Sequence, residues 1–315
     1  MMMNDAPTLK LDRVTKRYDE FTAVSELSLS VRSGRIYGLL GPNGAGKTTT
    51  IRMIVNITAP DEGSVELFGR AMNSEMQNRI GYLPEERGLY KKMRIGEQLR
   101  FFGALKGLTG RKAEEVMDSW LERVKLSDWK NRKADELSKG MQQKIQFIVT
   151  VMHNPDLLIL DEPFSGLDPK NADLLEEIVL ELKAAGKTII FSTHMMAQAE
   201  RLCDDICLLN RSRKVLDGSL RDIKRSFGRN AVALRVEEGD TSVLKDTRLV
   251  AKVVQRSDEM EALLAEGADA QELLRRLVGA GARVTKFELV EPSLHDIFIT
   301  KVDETDEQAS GNHQA

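Results

Sequence analysis

Several features that mark whole classes of protein are scarce in this sequence. Only two of its 315 residues are cysteines, Cys203 and Cys207, which are too few for a disulfide framework, and no secretory signal is apparent. No apolar run approaches the roughly 18 residues that would cross a bilayer, and the longest runs, such as residues 157–160, have the length of a strand. These absences predict a protein of the reducing cytoplasm, for which any path through a membrane would belong to another chain.

An excess of positive charge is also missing. Lys and Arg number 46 against 49 Asp and Glu, which gives a net charge of -3 and a pI of about 6.0. Because nucleic-acid-binding proteins usually present a basic face, we predict no nucleic-acid partner. Hydrophobic residues at 41% and charged residues at 30% are typical of a folded globular protein. The mass of 35.3 kDa is large for one core and predicts two domains.

What the sequence does contain is an alternation of strand and helix patterns. Residues 8–31 alternate as two strands with a turn near Asp19, and the apolar run Ile36–Leu40 indicates a buried strand. Helical spacing of apolar residues from about 93 to 152 indicates an all-helical insertion. Further strands are predicted at 157–160, 188–191, 206–209 and 214–216, with a helix over 174–182. This order predicts a largely parallel sheet with crossover helices.

The pattern changes near Gly228. Alternating residues from Val232 onward indicate a half-buried strand, and Ser293 followed by Asp296 resembles a capping box for a last helix. We therefore predict a first domain over residues 1–227, a small α+β domain over 228–302, and a polar, acidic, disordered tail over 303–315. The second domain could support a dimer, bind a partner or regulate, and an ordinary internal core would explain its apolar residues equally well.

The segment from Gly41 to Thr48 fits G-x-x-x-x-G-K-[ST], and it lies between a predicted strand and a predicted helix. In such a phosphate loop, glycines let backbone N–H groups turn toward phosphate oxygens, and the helix start adds a favourable dipole. Lys47 would contact the β- and γ-phosphates, while the Thr48 hydroxyl would ligate Mg²⁺. The candidate nucleotide-binding residues here are Gly41, Asn43, Gly44, Ala45, Gly46, Lys47, Thr48 and Thr49.

Two acids follow the apolar run at 157–160. Ionised carboxylates at such a place are costly unless they are paired or bind a metal. Asp161 at the strand end can reach the Mg²⁺ that Thr48 holds, because ligands collect at the carboxyl ends of parallel strands. Glu162 is then placed to polarise an attacking water.

Together with these motifs, four further segments resemble the nucleotide-binding subunits of ABC transporters. The resemblance covers roughly residues 9–227 and keeps the motifs in the family's order. The segments are Leu137-Ser138-Lys139-Gly140-Met141, similar to the signature motif; Ser165-Gly166-Leu167-Asp168, similar to the D-loop; Thr193-His194, similar to the switch histidine; and Tyr18, similar to the aromatic residue that stacks on adenine. The resemblance implies an α/β fold, with a P-loop NTPase core, an antiparallel β subdomain and an all-helical insertion.

The resemblance also implies a mechanism and partners. ATP with Mg²⁺ would bind between two copies of the chain, with Ser138 and Gly140 of one copy facing the phosphate loop of the other. Glu162 and His194 would be the catalytic residues, and Asp168 would communicate between the two sites. The homodimer would drive a separate membrane-spanning permease, so the chain would be peripheral on the inner face of the cell membrane.

Two positions depart from the commonest family pattern. Glu85, in the run Pro84-Glu85-Glu86, stands where the family usually has Gln, and a carboxylate oxygen can also ligate Mg²⁺. Lys139 in the signature motif could add charge near a phosphate or extend into solvent. These variants resemble an exporter branch that includes sodium- and drug-efflux subunits, which favours export.

Other interpretations remain open at this point. A soluble ABC-type ATPase of DNA repair or translation would usually carry two such modules, a long coiled coil or a zinc insertion, none of which is evident. An ATP-binding regulator with poor hydrolysis is disfavoured by the intact Asp161-Glu162 pair. The spacing of Cys203 and Cys207 could suggest a metal site, but without a third cysteine core packing is the better interpretation.

Overall fold

The computed structural model describes residues 7–71, 73–86, 88–227, 231–256, 258–265 and 267–311. The chain begins with an antiparallel sheet of order β2-β1-β4-β5. Its strands are β1 (Leu9–Tyr18), β2 (Phe21–Val31), β4 (Glu62–Leu67) and β5 (Arg70–Ala71). The turn at Asp19, with a φ of 50°, joins the first two strands where the sequence predicts it.

The second sheet has six strands in the order β10-β9-β3-β8-β7-β6. These strands are β3 (Ile36–Leu40), β6 (Ile80–Leu83), β7 (Leu157–Asp161), β8 (Thr188–Thr193), β9 (Asp205–Asn210) and β10 (Arg213–Ser219). Strand β3 pairs in parallel with β8 and β9, and β7 pairs in parallel with β6 and β8. The carboxyl ends of these five strands therefore lie along one edge, where α/β proteins bind their ligands.

Six helices accompany these two sheets in the described part. They are α1 (Lys47–Ile54), α2 (Ile95–Leu105), α3 (Gly110–Arg123), α4 (Lys139–Val151), α5 (Pro169–Ala184) and α6 (Met196–Leu202). Helices α2 to α4 lie between β6 and β7, within the stretch where helical spacing predicts the insertion. Helix α1 begins at Lys47 as predicted and ends earlier than residue 57, the expected end.

One hydrophobic core joins the two sheets around α1. Leu9 and Val31 of the antiparallel sheet, Leu39 of β3, Ile51 of α1 and Ile159 of β7 are all buried in the same cluster. Each such side chain contributes about 1.5–3 kcal/mol when it leaves water. Burial of both faces explains why β3 and β7 are continuous apolar runs.

A second compact unit begins at Ser219. It contains α7 (Leu220–Ser226), β11 (Ala231–Val236), β12 (Val250–Arg256), β13 (Glu259–Leu264), α8 (Ala270–Gly279), β14 (Val284–Val290) and α9 (Leu294–Gly311). The four strands pair antiparallel in the order β12-β13-β11-β14. Leu273 and Leu277 of α8 bury against Val232 and Leu234 of β11, so this unit has a core of its own.

Two features of this unit differ from the expectations. The compact unit starts at Ser219, before the change of pattern near Gly228. The sequence did not predict this start, because the short helix α7, in which Leu220 and Ile223 are buried, has no periodicity that assigns it to either unit. Helix α9 continues to Gly311 where the sequence predicts a disordered tail from residue 303; the acidic and amide residues there contain no proline to stop a helix. The amide of Asp296 donates to Ser293 Oγ at 3.2 Å, as the capping motif predicts. No helix in the described ranges has the length and apolar character needed to cross a membrane.

Candidate functional site

The phosphate loop occupies the turn between β3 and α1, and two of its glycines are required by the backbone path. A Cβ atom on Gly41 would lie 2.2 Å from the carbonyl oxygen of Leu209, and one on Gly46 would lie 2.4 Å from that of Ala23. Both residues have positive φ angles, 147° and 104°. Only glycine fits at these two positions, and the loop leads into the N-terminus of α1, where free N–H groups favour an anion.

Lys47 is the buried cation of this loop. Its ammonium donates to the carbonyl oxygens of Gly41 at 2.8 Å and of Pro42 at 3.1 Å. Burial lowers the pKa of Lys47, and the nearby carboxylates of Glu162 and Asp161 oppose that change. The loop therefore holds a positive charge close to two acids, at the place where a phosphate chain would bind.

Asp161 ends β7 and is fully buried. Ser192 donates a hydrogen bond to its Oδ1. Burial raises the pKa of Asp161 above its ordinary value, while the hydroxyls of Ser192 and Thr48 oppose the rise. The other oxygen, Oδ2, has no partner in the part of the chain that the structure describes.

This unpaired oxygen fits a hard cation. Mg²⁺ prefers oxygen ligands and typically takes one or two from the protein, with the rest from phosphate and water. Asp161 and Thr48 supply such oxygens side by side. Across the described residues, no group of three or more His, Cys, Asp or Glu side chains could hold a metal by itself. A metal at Asp161 would take its remaining oxygen ligands from phosphate and water.

Glu162 is held in a rare conformation next to His194. Its φ of 48° is unusual for a residue with a side chain and costs about 1–2 kcal/mol. Its Oε1 accepts hydrogen bonds from the His194 amide at 3.1 Å and from His194 Nδ1 at 2.9 Å. Because a carboxylate only accepts, the Nδ1 atom of His194 carries the proton in this contact.

Ser192 connects the two acids, and the sequence analysis missed it. Its hydroxyl donates to Asp161 and accepts from the Glu162 amide at 3.2 Å, and the residue is completely buried in β8. The available signal was a Ser-Thr pair directly before His194 in an otherwise apolar strand. A polar residue in such a strand needs a buried partner, which only the sheet order reveals.

An open cleft of about 370 Å³ lies over the phosphate loop. It is lined by Phe21, Ala23, Asn43, Gly44, Gly46, Lys47, Thr48, Thr49, Glu85 and Glu162. The fold thus brings Glu85 and Glu162 to the loop from two different strand ends. Gly41, Ala45, Asp161 and His194 are outside the lining, but Gly41 accepts a hydrogen bond from Lys47 and His194 donates one to Glu162.

An aromatic residue close to the predicted Tyr18 lines the cleft. Tyr18 and Phe21 are paired across the turn between β1 and β2, and both are largely exposed. Phe21 lines the cleft, whereas Tyr18 is outside the lining and has the Lys16 ammonium 5.6 Å from its ring centre. The sequence analysis did not select Phe21, because Tyr18 matched the family position.

Three predicted residues lie away from the cleft within this chain. Ser138 caps α4 by accepting a hydrogen bond from the Met141 amide at 3.3 Å, and Gly140 follows in the first turn of that helix. Asp168 caps α5 by accepting from the Asn171 amide at 3.1 Å, and this bond holds its pKa below the usual range. Ser138 and Asp168 are helix caps here, and Ser138 is exposed.

The comparisons with known proteins agree with this geometry. The profile of the ABC transporter family matches residues 24–165, and that of the ATP-binding protein DrrA1-3-like C-terminal domain matches residues 218–302. The uncharacterized ABC transporter ATP-binding protein YhaQ of Bacillus subtilis is 47% identical over 93% of this chain and 98% of its own length. The Nod factor export ATP-binding protein I of Burkholderia lata is 36% identical over 91% of this chain and 94% of its length.

A solved structure described as an ATP-binding subunit of an ABC transporter superposes with a TM-score of 0.66 and 32% identity. It covers 70% of this chain and 93% of its own. Fold and site together define a P-loop ATPase of the α/β class, which confirms the predicted fold class. The chain belongs to the family of ABC transporter ATP-binding subunits. It binds ATP and hydrolyses it.

Proposed function

We propose that this chain is the motor subunit of an ABC exporter and that its ATP site is completed by a second copy of the chain. One observation carries the proposal. The loop, Lys47 and Glu162 meet in one cleft, whereas Ser138 and Gly140 at the start of α4 lie outside it. A helix N-terminus with an exposed hydroxyl is suited to a phosphate, and a partner's copy would bring one to the open side of the cleft.

In this mechanism each residue has a defined task. Lys47 neutralises charge on the β- and γ-phosphates, and the Glu162 carboxylate orients water for in-line attack. His194, which donates to Glu162, would turn its exposed ring toward the γ-phosphate. A Mg²⁺ ion held by Thr48 and Asp161, with Glu85 beside it, would supply charge neutralisation at the phosphates. Loss of the γ-phosphate would remove the bridge between the two copies.

Export is supported by the relatives' names. The Burkholderia relative is named a Nod factor export protein and aligns with this chain over both units, including the C-terminal part. We therefore propose outward transport, with a permease as the membrane-spanning partner and with the chain bound peripherally at the cytoplasmic face.

An apolar groove gives the permease a place to dock. It has a volume of about 390 Å³ and is lined mainly by apolar side chains of β6, α2, α4 and the segment that follows α1. Ile57 and Leu105 in its lining are more than half exposed, as is Tyr90 near it. Large apolar side chains exposed together mark an interaction surface. Pro84 in the lining directly precedes Glu85 of the ATP cleft, so a segment in this groove would sense the nucleotide site.

The test is Glu162→Gln in the full chain, with Glu177→Gln on the exposed face of α5 as a matched control. The amide keeps the shape of the side chain but orients water poorly, so we expect turnover to fall by about 100-fold or more. With ATP and Mg²⁺ the variant should accumulate as a dimer in size-exclusion chromatography. The control should hydrolyse ATP like the wild type and show no such accumulation.

Two outcomes would contradict the proposal. Turnover at the wild-type rate in Glu162→Gln would remove that residue from catalysis. The shared site would be contradicted if a variant that binds ATP without hydrolysing it stayed monomeric with ATP at high protein concentration.

A further inference from the structure

The first two turns of α4 are fastened to the segment 163–171, which leads from the paired acids into α5. The buried amide of Gln143 donates from Nε2 to the carbonyl oxygen of Pro163 at 3.0 Å. One turn earlier, Leu167 packs against Gly140, where a Cβ atom would come 3.4 Å from the leucine Cδ2. Both contacts join the start of this helix to residues that directly follow the acids in the same chain.

A third contact in this region is made by a buried lysine. Lys144 Nζ donates to the carbonyl oxygen of Val124 at 2.9 Å and to Asn171 Oδ1 at 3.1 Å. The Asn171 amide is thereby oriented, because its oxygen faces the ammonium group and its Nδ2 donates to Asp168 Oδ2 at 2.6 Å. The backbone N–H of Asn171 donates to the other carboxylate oxygen, Oδ1, at 3.1 Å. Lys144 of α4 therefore reaches Asp168 through a single side chain.

The positive charge of Lys144 lies in unfavourable surroundings. Burial lowers the pKa of Lys144, and the two oxygens to which it donates are both neutral. Asp168 supports the charge, whereas Lys125 opposes it. An apolar side chain of similar length would avoid the desolvation of an ammonium group and is often as stable or more stable at such a place. Packing alone therefore does not account for a lysine here.

We propose that Lys144 and Asn171 are positioning residues that link the start of α4 to Asp168 of the same chain. The inference rests on the proposed function, in which the nucleotide held by one copy meets Ser138 of the other. Helix α4 extends about 9 Å from Ser138 to Lys144, and a hydrogen-bonded helix of this length moves as one unit. A displacement of its first turn would therefore reach Asp168 and, through the loop before it, Glu162. Hydrolysis at the chain's own site thus depends on what binds at the start of its α4.

Two substitutions of Asn171 separate this role from packing. Asn171→Asp keeps an oxygen for the ammonium group, but it replaces the donor to Asp168 by a second negative charge, whereas Asn171→Leu removes both contacts. We expect kcat to fall about tenfold in both variants, as the loss of one charge-assisted hydrogen bond would give, with KM for ATP within about twofold. The melting temperature should stay closer to the wild type in Asn171→Asp, because its carboxylate pairs with the lysine. A wild-type kcat in Asn171→Asp would overturn the inference.

The lysine is tested by Lys144→Met, which keeps the length of the side chain without its charge. Lys112→Met, at an exposed position of α3, is the matched control and should hydrolyse ATP like the wild type. Lys144→Met should lower kcat by the same factor as Asn171→Leu, and the double variant should fall no further, because both changes break one connection. Additive losses in the double variant, or a lower melting temperature with an unchanged kcat, would contradict the inference.

A last comparison uses the Glu162→Gln background, in which ATP should accumulate the dimer. Lys144→Met should leave that dimer intact, since Ser138 and the first turn of α4 are unchanged. Loss of the dimer would assign Lys144 to the phosphate contact itself and exclude a role through Asp168. If Glu162→Gln alone formed no dimer with ATP, the proposed function would fail together with this inference. A dimer in that background, combined with wild-type turnover in the Lys144 and Asn171 variants, would refute this inference alone.

Discussion

At the residue scale, the neighbouring acids Asp161 and Glu162 lie in different surroundings. Asp161 is fully buried with one unpaired oxygen, and burial raises its pKa. Glu162 turns into the open cleft and accepts two hydrogen bonds from His194. The positive φ of Glu162 produces this separation, because it redirects the chain directly after β7. One acid is thereby suited to a metal and the next to water.

The burial of Asp161 predicts that this residue lowers the free energy of unfolding by an amount that depends on pH. Because its pKa is raised in the folded state, the folded protein keeps this proton to higher pH than the unfolded chain does. Stability therefore falls as pH rises from the ordinary Asp range through the raised pKa, and the full cost is present above it. Asp161→Asn should melt several degrees higher than the wild type at neutral pH, since about 1 kcal/mol corresponds to 2–4 °C.

This difference should be measured without nucleotide or Mg²⁺ by thermal unfolding at several pH values. It should shrink as the pH falls below the ordinary Asp range, and the variant should not hydrolyse ATP. Asp173→Asn, an exposed position on α5, is the control and should follow the wild type. Parallel melting curves for Asp161→Asn and wild type at all pH values would contradict the burial argument.

At the scale of elements, the junction of β3 and α1 decides whether the loop can form. Gly46 approaches the carbonyl oxygen of Ala23, whereas a Cβ on Gly44 would meet nothing within 4 Å. Both glycines have positive φ angles, so replacing either one by alanine costs about 1–2 kcal/mol for the left-handed backbone conformation. Only at Gly46 does the new atom also collide with backbone.

We therefore expect Gly46→Ala to destabilise the chain by about 4 kcal/mol or more, or to prevent folding, and Gly44→Ala to cost only the conformational penalty. Denaturant unfolding of the two variants gives the comparison directly. Equal losses of free energy of unfolding would show that the loop backbone moves away from Ala23 at little cost.

At the scale of the whole molecule, the chain consists of two units with separate hydrophobic cores. The nucleotide-binding residues all precede Gly218, and the second core is built around α8. A change in the second core should therefore alter stability without altering the ATP cleft. The helix offers a buried and an exposed position for this comparison, Leu273 at 0% and Val278 at 58% exposure.

Leu273→Ala should lower the free energy of unfolding of the second unit by about 2–5 kcal/mol through loss of contacts and a cavity. Binding of a fluorescent ATP analogue should stay within twofold of the wild type. Val278→Ala should change neither quantity measurably. A large loss of nucleotide affinity in Leu273→Ala would show that the second unit helps to form the ATP site.

The site could be predicted from sequence to the extent that its residues are local. The phosphate loop is one continuous segment in which strand, glycines, Lys47 and helix start stand in a fixed order. The Asp161-Glu162 pair is likewise recognisable at the end of an apolar strand. Ser192 was missed because its partner is a neighbour in space: Ser192 reaches Asp161 only because β8 pairs with β7. Phe21 was missed because Tyr18 matched the family position. The roles of all the predicted site residues stay predictions, including those of Lys47, Asp161, Glu162 and His194.

By itself, the sequence determined the class of protein. The signals for it are the spacing of the phosphate loop, the period of strands and helices and the paired acids, and each of them follows from local chemistry. It also determined the main elements of the first unit, whose buried strands are continuous apolar runs. Only the tertiary structure decided which distant residues share a cleft and where the second unit begins. Those facts depend on strand order and on the packing of helices against the sheet, which no local pattern encodes.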